Sequence, residues 1–142
     1  MSLTVVGKAQ DMNEFKRISK NDNTTVLQAM PKEQLIEVYR KADIFVMPSF
    51  TESFGLVYAE AMSQGLPVVY SEGQGFDGQF EEGEVGFKVN SHSAESVAEG
   101  ILKVIEKYDS IASRTVDMAQ KFKWDEIVKN YCDIYEKIGG TK

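Results

Sequence analysis

Glu52-Ser53-Phe54-Gly55-Leu56-Val57-Tyr58-Ala59-Glu60-Ala61-Met62 is the stretch from which the fold of this chain is read. Ahead of it, Asp43-Ile44-Phe45-Val46-Met47-Pro48 is an apolar run of strand length stopped by proline. Behind it, Gly65-Leu66-Pro67 leads into a second apolar run, Val68-Val69-Tyr70. Strand, turn, helix, turn and strand within about thirty residues make a βαβ unit. Because the first turn opens a helix, the spacing predicts N–H groups at Phe54, Gly55 and Leu56 pointing out of the helix N-terminus. With the helix dipole they form an anion site, at the edge where open α/β sheets take their ligands. Glycine at position 55 lets a ligand come close to the backbone.

Two carboxylates frame this turn. Glu52 lies in the loop, and Glu60 lies about one turn into the helix, sharing a narrow polar arc with Ser63 and Gln64. Val57, Ala59, Ala61 and Met62 cover the rest, so the helix is mostly buried and a carboxylate on it calls for a partner. From spacing alone two readings stand. In one, Glu60 reaches solvent and Glu52 complements the helix dipole; in the other, the pair binds a ligand.

Glu52, seven residues and then Glu60, with Phe54-Gly55-Leu56 between them, resembles the E-x7-E signature of the group 1 family of retaining glycosyltransferases. The surroundings match in order. Pro31-Lys32-Glu33-Gln34-Leu35, Tyr39, Ala42-Asp43 and Pro48-Ser49 precede the signature. Glu60-Ala61-Met62, Gly65, Pro67-Val68-Val69, Gly75, Gly83, Gly86 and Trp124 follow. The resemblance runs from about Leu3 to Ile138. It implies the C-terminal, donor-binding half of a GT-B fold, a Rossmann-like parallel sheet flanked by helices, lacking its first strand and helix. In that family an Arg and a Lys that grip the donor diphosphate lie upstream of the strand matching Leu3–Val6. The expectation is therefore a single nucleotide-sugar-binding domain over residues 1–142, part of a longer two-domain enzyme and inactive alone.

Composition narrows the classes. The chain has 142 residues, enough for one domain with a real core. With 42% hydrophobic and 27% charged residues it reads as globular. No apolar run is long enough to cross a bilayer and the start carries no signal-peptide pattern. The reading places the chain in the cytoplasm, with any membrane association carried by the missing domain. A single cysteine, Cys132, excludes an internal disulfide and falls in a patterned helix, where core packing is expected. The one histidine, His92, excludes a catalytic triad or a histidine-rich metal site. A formal net charge of −6 argues against nucleic acid as a partner.

Five strands are expected, alternating with helices and therefore parallel with right-handed crossovers. They are Leu3–Val6, Thr24–Leu27, the run from Asp43, the run from Val68, and Gly86–Val89. Met12, Phe15 and Ile18 mark a short helix, and Pro31 stands at the start of another. Ser93 reads as an N-cap ahead of Val97, Ile101, Val104 and Ile105. A further helix runs from about Ser110 to Lys121. The last, from Asp125 to about Lys137, is expected to bury Trp124, Ile127, Val128, Tyr131, Ile134 and Ile138; the resemblance also implies a final helix that crosses back to the other domain, which would leave part of this stripe exposed here. Ser71-Glu72-Gly73-Gln74-Gly75 reads as a flexible turn at the same edge of the sheet as the signature.

The resemblance also assigns roles. Transfer of a glycosyl unit from a nucleotide-diphosphate sugar to an acceptor hydroxyl, with retention, is the implied reaction. Glu52 is the expected catalytic residue, binding donor-sugar hydroxyls and placing negative charge near a developing oxocarbenium ion. Ser53, Phe54, Gly55 and Leu56 are expected to hold donor oxygens, where preorganised N–H donors stabilise a leaving diphosphate. Glu60 suits the vicinal hydroxyls of ribose. Gly7 is expected near the ligand, and Met30, in the Ala29-Met30-Pro31 loop, near the nucleotide base; a plain strand-to-helix connection is the other reading of that loop. Phe76-Asp77-Gly78-Gln79-Phe80 departs from the commoner family pattern, which carries Pro-Glu where this chain has Asp77-Gly78. There is no D-x-D, so neither a metal nor a cofactor is expected. The acceptor, a saccharide or lipid-linked saccharide, would bind through the missing N-terminal domain. Two carboxylates also suggest a glycosidase, but their placement about one helical turn apart suits binding rather than flanking a scissile bond. A sugar-nucleotide epimerase or phosphorylase fragment of the same fold is an alternative. A non-catalytic receiver-like module fits poorly, since the first strand ends in Val6-Gly7-Lys8 without an acidic cluster.

Overall fold

A computed structural model describes residues 1–9 and 11–139. The chain divides into two compact units, Met1–Val38 and the remainder from Tyr39 onward. In the first unit, β1 (Leu3–Val6) and β2 (Thr24–Leu27) pair in parallel with Val5 opposite Val26. Between them runs α1 (Met12–Ser19), capped by Asp11, whose carboxylate accepts the Asn13 N–H at 2.7 Å. Phe15 and Ile18 are its half-buried apolar residues. α2 (Lys32–Tyr39) begins just after Pro31, whose carbonyl accepts the Gln34 and Leu35 N–H groups. Its last residue, Tyr39, belongs to the second unit.

The second unit holds a parallel sheet of three strands in the order β3 (Phe45–Val46), β4 (Val68–Ser71), β5 (Gly86–Val89). The expected parallel strands thus occur as two sheets, β1-β2 and β3-β4-β5. Every residue of β4 is buried, which an unbroken apolar run on a central strand requires. Alternation along β4 then divides the core in two. Val68 and Tyr70 pack with Tyr58 and Met62 of α3 (Leu56–Met62), with Phe76 and Val85, and with Ala119 at the end of α5 (Tyr108–Ala119). Val69 packs on the opposite face with Phe87 and Val89 of β5, Val104 of α4 (Ala94–Glu106) and Ile111 of α5. Helices on both faces of a parallel sheet are what this pattern of burial demands.

Two glycines set close contacts in this unit. A side-chain carbon on Gly100 would strike Val89, so α4 lies close against the sheet. One on Gly86 would strike the Val68 backbone, which pairs with it across β4 and β5. Ser93 caps α4 as expected, accepting the Ser96 N–H at 3.1 Å. Ile105, however, is 49% exposed, and the inward face of α4 is Val97, Ile101 and Val104.

The C-terminal helix corrects the expected burial of its apolar stripe and goes beyond the partial exposure that a crossing helix implies. After a 3-10 turn (Gln120–Phe122), α6 (Trp124–Gly139) runs as predicted, but none of its residues is buried. Trp124 is 76% exposed, and Val128, Tyr131, Ile134 and Ile138 are exposed as well. Cys132 is exposed on the same helix rather than packed in a core. Periodicity fixes which face of a helix is apolar; it does not fix whether that face meets a partner within the chain.

The two kinds of apolar position separate in an unfolding experiment. Ile111→Ala is expected to lower the unfolding free energy by about 2–5 kcal/mol, and Trp124→Ala to change it by less than about 0.5 kcal/mol. Urea unfolding followed by circular dichroism checks both. An equal loss in the two variants would contradict the exposed placement of α6.

Candidate functional site

At the C-terminal end of β3 the chain enters Met47-Pro48-Ser49, then the turn that leads into α3. This turn is held from below by Tyr58. Its hydroxyl donates to the Met47 carbonyl at 2.5 Å, and its ring lies edge-on to Phe45 and tilted against Phe76. Gly55, the N-cap of α3, sits directly over that ring with φ +80°. A Cβ at Gly55 would come within 2.5 Å of the Tyr58 ring, so both conformation and space call for glycine here.

From the other side the turn is gripped by the segment after β4. The Glu52 N–H donates to Gln74 Oε1 at 2.8 Å, and the Gly75 N–H donates to the Glu52 carbonyl at 3.1 Å. The backbones approach so closely that a side chain on Gly75 would collide with the Ser53 carbonyl. The gripping segment is itself locked. The Gly73 N–H donates to Asp77 Oδ2 at 2.8 Å, the Asp77 N–H donates to the Gln74 carbonyl at 2.8 Å, and Asp77 Oδ1 lies 3.7 Å from Lys88 Nζ on β5. Residues 71–75, expected as a flexible turn, form a hydrogen-bonded hook closed by Asp77.

Within the turn, one expectation is corrected. The N–H groups of Phe54 and Gly55 are not open to a ligand here, because both point at Glu52 Oε1, at 3.4 and 3.1 Å. An acidic side chain three residues ahead of a helix start folds back onto the first N–H groups, as side-chain caps do. The N–H groups thus converge on one oxygen, and that oxygen belongs to the chain itself. Ser53, Phe54 and Leu56 are exposed, Gly55 is buried and Glu52 half-buried.

Glu60 is half-buried on α3, and its charge is felt by Tyr39, whose phenol is raised first by burial and then by Glu60. Around it runs a polar chain: Arg40 Nε donates to Gln64 Oε1 at 3.0 Å, Gln64 Nε2 to Ser63 Oγ at 3.0 Å, and Ser63 Oγ to the Glu60 carbonyl at 2.6 Å. The polar arc of Glu60, Ser63 and Gln64 read from the sequence is therefore present, extended by Arg40.

The structure gathers Glu52, Ser53, Phe54, Gly55, Leu56 and Glu60 on one turn and its helix. Gly7 and Met30 lie in the first unit. Gly7 donates its N–H to the Leu27 carbonyl at 3.1 Å and lines an open groove of about 320 Å³ that also carries Lys8, Asp11 and Glu14. Sequence reasoning missed Tyr58 and Gln74. The signal for Gln74 was its place between two glycines, a pattern that marks close backbone approach. Among the described residues no group of three or more His, Cys, Asp or Glu side chains is placed to hold a metal ion, and no helix is long and apolar enough to cross a membrane.

Burial pushes the Tyr58 phenol up to about 12, opposed by a hydrogen bond with Ser49 and reinforced by the Glu52 charge. Burial likewise pushes Tyr70 up to about 12, with Asp77 and Glu82 adding to it. Raised phenols stabilise the fold fully below the ordinary value of 10.0, and that stability is lost as pH rises through about 12. The urea midpoint is therefore expected to fall between these two values while phenolate absorbance rises. A flat midpoint across that window would contradict the buried placement of the two rings.

The family profile described as glycosyl transferases group 1 matches residues 1–122. D-inositol 3-phosphate glycosyltransferase of Corynebacterium aurimucosum is 35% identical over 112 residues, covering 77% of this chain and 27% of that protein. The chain thus spans about a quarter of the length of such curated relatives. Among solved structures, sucrose-phosphate synthase of Thermosynechococcus elongatus superposes with a TM-score of 0.78 at 25% identity, over 99% of this chain and 39% of that one. Anabaena HepE in complex with UDP and glucose superposes with a TM-score of 0.75 at 25% identity, over 98% of this chain and 40% of that one.

Proposed function

The chain belongs to the group 1 glycosyl transferases, and from that premise we propose that it is the donor-binding part of a retaining glycosyltransferase, moving a sugar from a nucleotide-diphosphate donor to an acceptor hydroxyl. Its α/β fold, with parallel sheets flanked by helices, is that of the GT-B glycosyltransferases it superposes on. On this reading residues 1–142 are one domain of a longer cytoplasmic enzyme, the acceptor binds elsewhere in that enzyme, and the chain alone turns nothing over. The parallel pairing within each sheet supports the α/β part of this reading.

The observation that carries the proposal is the convergence of the Phe54 and Gly55 N–H groups on one carboxylate oxygen at the C-terminal edge of the sheet. A pair of N–H groups already placed to hold Glu52 Oε1 is placed to hold a donor oxygen instead. Binding then exchanges one oxygen for another at the same N–H groups. The displaced Glu52 carboxylate becomes available to donor-sugar hydroxyls and to positive charge developing at the anomeric carbon. Ser53 and Leu56 belong to the same turn and helix start, and Glu60 takes the ribose hydroxyls; Gly7 and Met30, in the first unit, keep the places that the resemblance implies, near the ligand and near the nucleotide base. HepE, solved with UDP and glucose, lends the donor class, a uridine diphosphate sugar. The fixed N–H donors require neither metal nor cofactor to hold a donor oxygen.

Titration of the isotope-labelled chain with UDP, GDP and ADP tests this directly. Amide shifts are expected to cluster at residues 54–56 with affinity near millimolar, about −4 kcal/mol, and to be lost in Glu60→Ala. Absence of shifts at these amides with all three nucleotides would overturn the donor-site reading.

A further inference from the structure

The orientation of the Gln74 amide is dictated by its partner. The group it meets is the Glu52 N–H, a donor, so the atom facing it at 2.8 Å is Oε1. Reversing the amide would set NH2 against N–H, which no hydrogen bond allows. The Gly75 N–H holds the Glu52 carbonyl from the next residue along, so neither the Glu52 backbone nor the Gln74 amide can turn without breaking this pair of contacts. Nε2 is thereby fixed as well, with two N–H donors. Among the described residues none accepts from it and no buried side-chain nitrogen or oxygen lacks a partner, so Nε2 is not sealed from solvent.

We propose that Gln74 is a substrate-contacting residue that joins two tasks in one side chain. Its Oε1 holds the Glu52 backbone in place while its Nε2 donates to an oxygen of the nucleotide-sugar donor, either a diphosphate oxygen or a sugar hydroxyl. The proposal rests on the donor-site reading above and deepens it. It gives a role to a residue that stands next to Glu52 and that the signature does not include. A neutral amide suits the place: it adds two donors beside a carboxylate without a cation, in a chain of net charge −6.

Gln74→Glu separates the tasks, because a carboxylate keeps the acceptor for the Glu52 N–H and removes both donors. Gln74→Ala removes the donors without adding charge. Affinity for UDP and for UDP-glucose is read by titration of the labelled chain, with protection of the Glu52 amide from hydrogen exchange reporting on the clamp. The expected result is about tenfold weaker binding in both variants, with the Glu52 amide still protected in Gln74→Glu. A loss shared by UDP and UDP-glucose assigns Nε2 to the diphosphate; a loss confined to UDP-glucose assigns it to the sugar. Wild-type affinity in either variant overturns the proposal. So does loss of that protection in Gln74→Glu, since weaker binding would then act through the clamp alone. If the wild-type chain binds neither probe, the donor-site reading falls, and the assignment of Gln74 falls with it.

Discussion

The second unit depends on one contact between two pieces of backbone. Where Gly75 passes the Ser53 carbonyl there is no room for a side chain, and the two segments hold each other through the Glu52 N–H and carbonyl. Backbone groups near a half-buried turn must find partners or lose the free energy of a hydrogen bond, about 1–3 kcal/mol each. Here the turn before α3 finds them in the turn after β4, and the reverse. Neither segment has a regular ladder of its own, so each supplies the order that the other lacks. The glycine is what makes the exchange possible.

Beneath that contact the aromatic residues act as a wedge. Tyr58 touches Phe45, Tyr70 and Phe76, and Phe76 in turn meets Phe80 and Phe122. Phe54 reaches Phe122 edge-on from the turn itself. The cluster ties the ends of β3 and β4 to the 3-10 turn before α6, so the turn that carries Glu52 rests on rings that keep it from sinking into the sheet. Tyr58 also terminates the strand, since its hydroxyl satisfies the Met47 carbonyl just where pairing with β4 gives out. A buried phenol with its proton committed to a carbonyl is a rigid support, and the upward shift of its ionisation follows from the same burial.

Much of this was legible in the sequence because it follows from local rules. Leu3–Val6, Thr24–Leu27 and Gly86–Val89 are the strands expected, because glycine, asparagine or a turn cluster bounds each apolar run. β3 is shorter than its apolar run, since only Phe45 and Val46 align with Val68 and Val69 before Pro48 intervenes. Local composition does not reveal contacts made at long range, so neither the exposure of the α6 stripe nor the order of the Gly73-Gln74-Gly75 segment follows from it. The hook owes its order to Asp77, Lys88 and the Glu52 backbone, none of which a window around Gln74 contains. The capture of the Phe54 and Gly55 N–H groups by Glu52 was accessible in principle. An acidic residue just ahead of a helix start complements the dipole as well as forming half of a signature, and the fold-back of Glu52 onto the first N–H groups is the first of these meanings made concrete.

That double meaning bears on how an acidic chain would hold an anionic or hydroxyl-rich ligand. Lysine and arginine are the usual answer, yet the turn at Glu52 offers N–H groups and an amide instead. Neutral donors carry less Coulomb energy than cations, but they are fixed by the backbone and need little reorganisation when a ligand arrives. Their drawback is that unmet N–H groups at a helix start cost free energy in the empty state. Glu52 removes that cost by supplying the oxygen, and on the proposed reading it does so until a donor oxygen takes its place. A carboxylate does this better than a neutral cap, because its charge also matches the helix dipole, and worse than a ligand that brings contacts of its own. On the proposed reading, affinity is a difference between two oxygens competing for the same N–H groups. The residue that loses the competition is the one the reaction then requires.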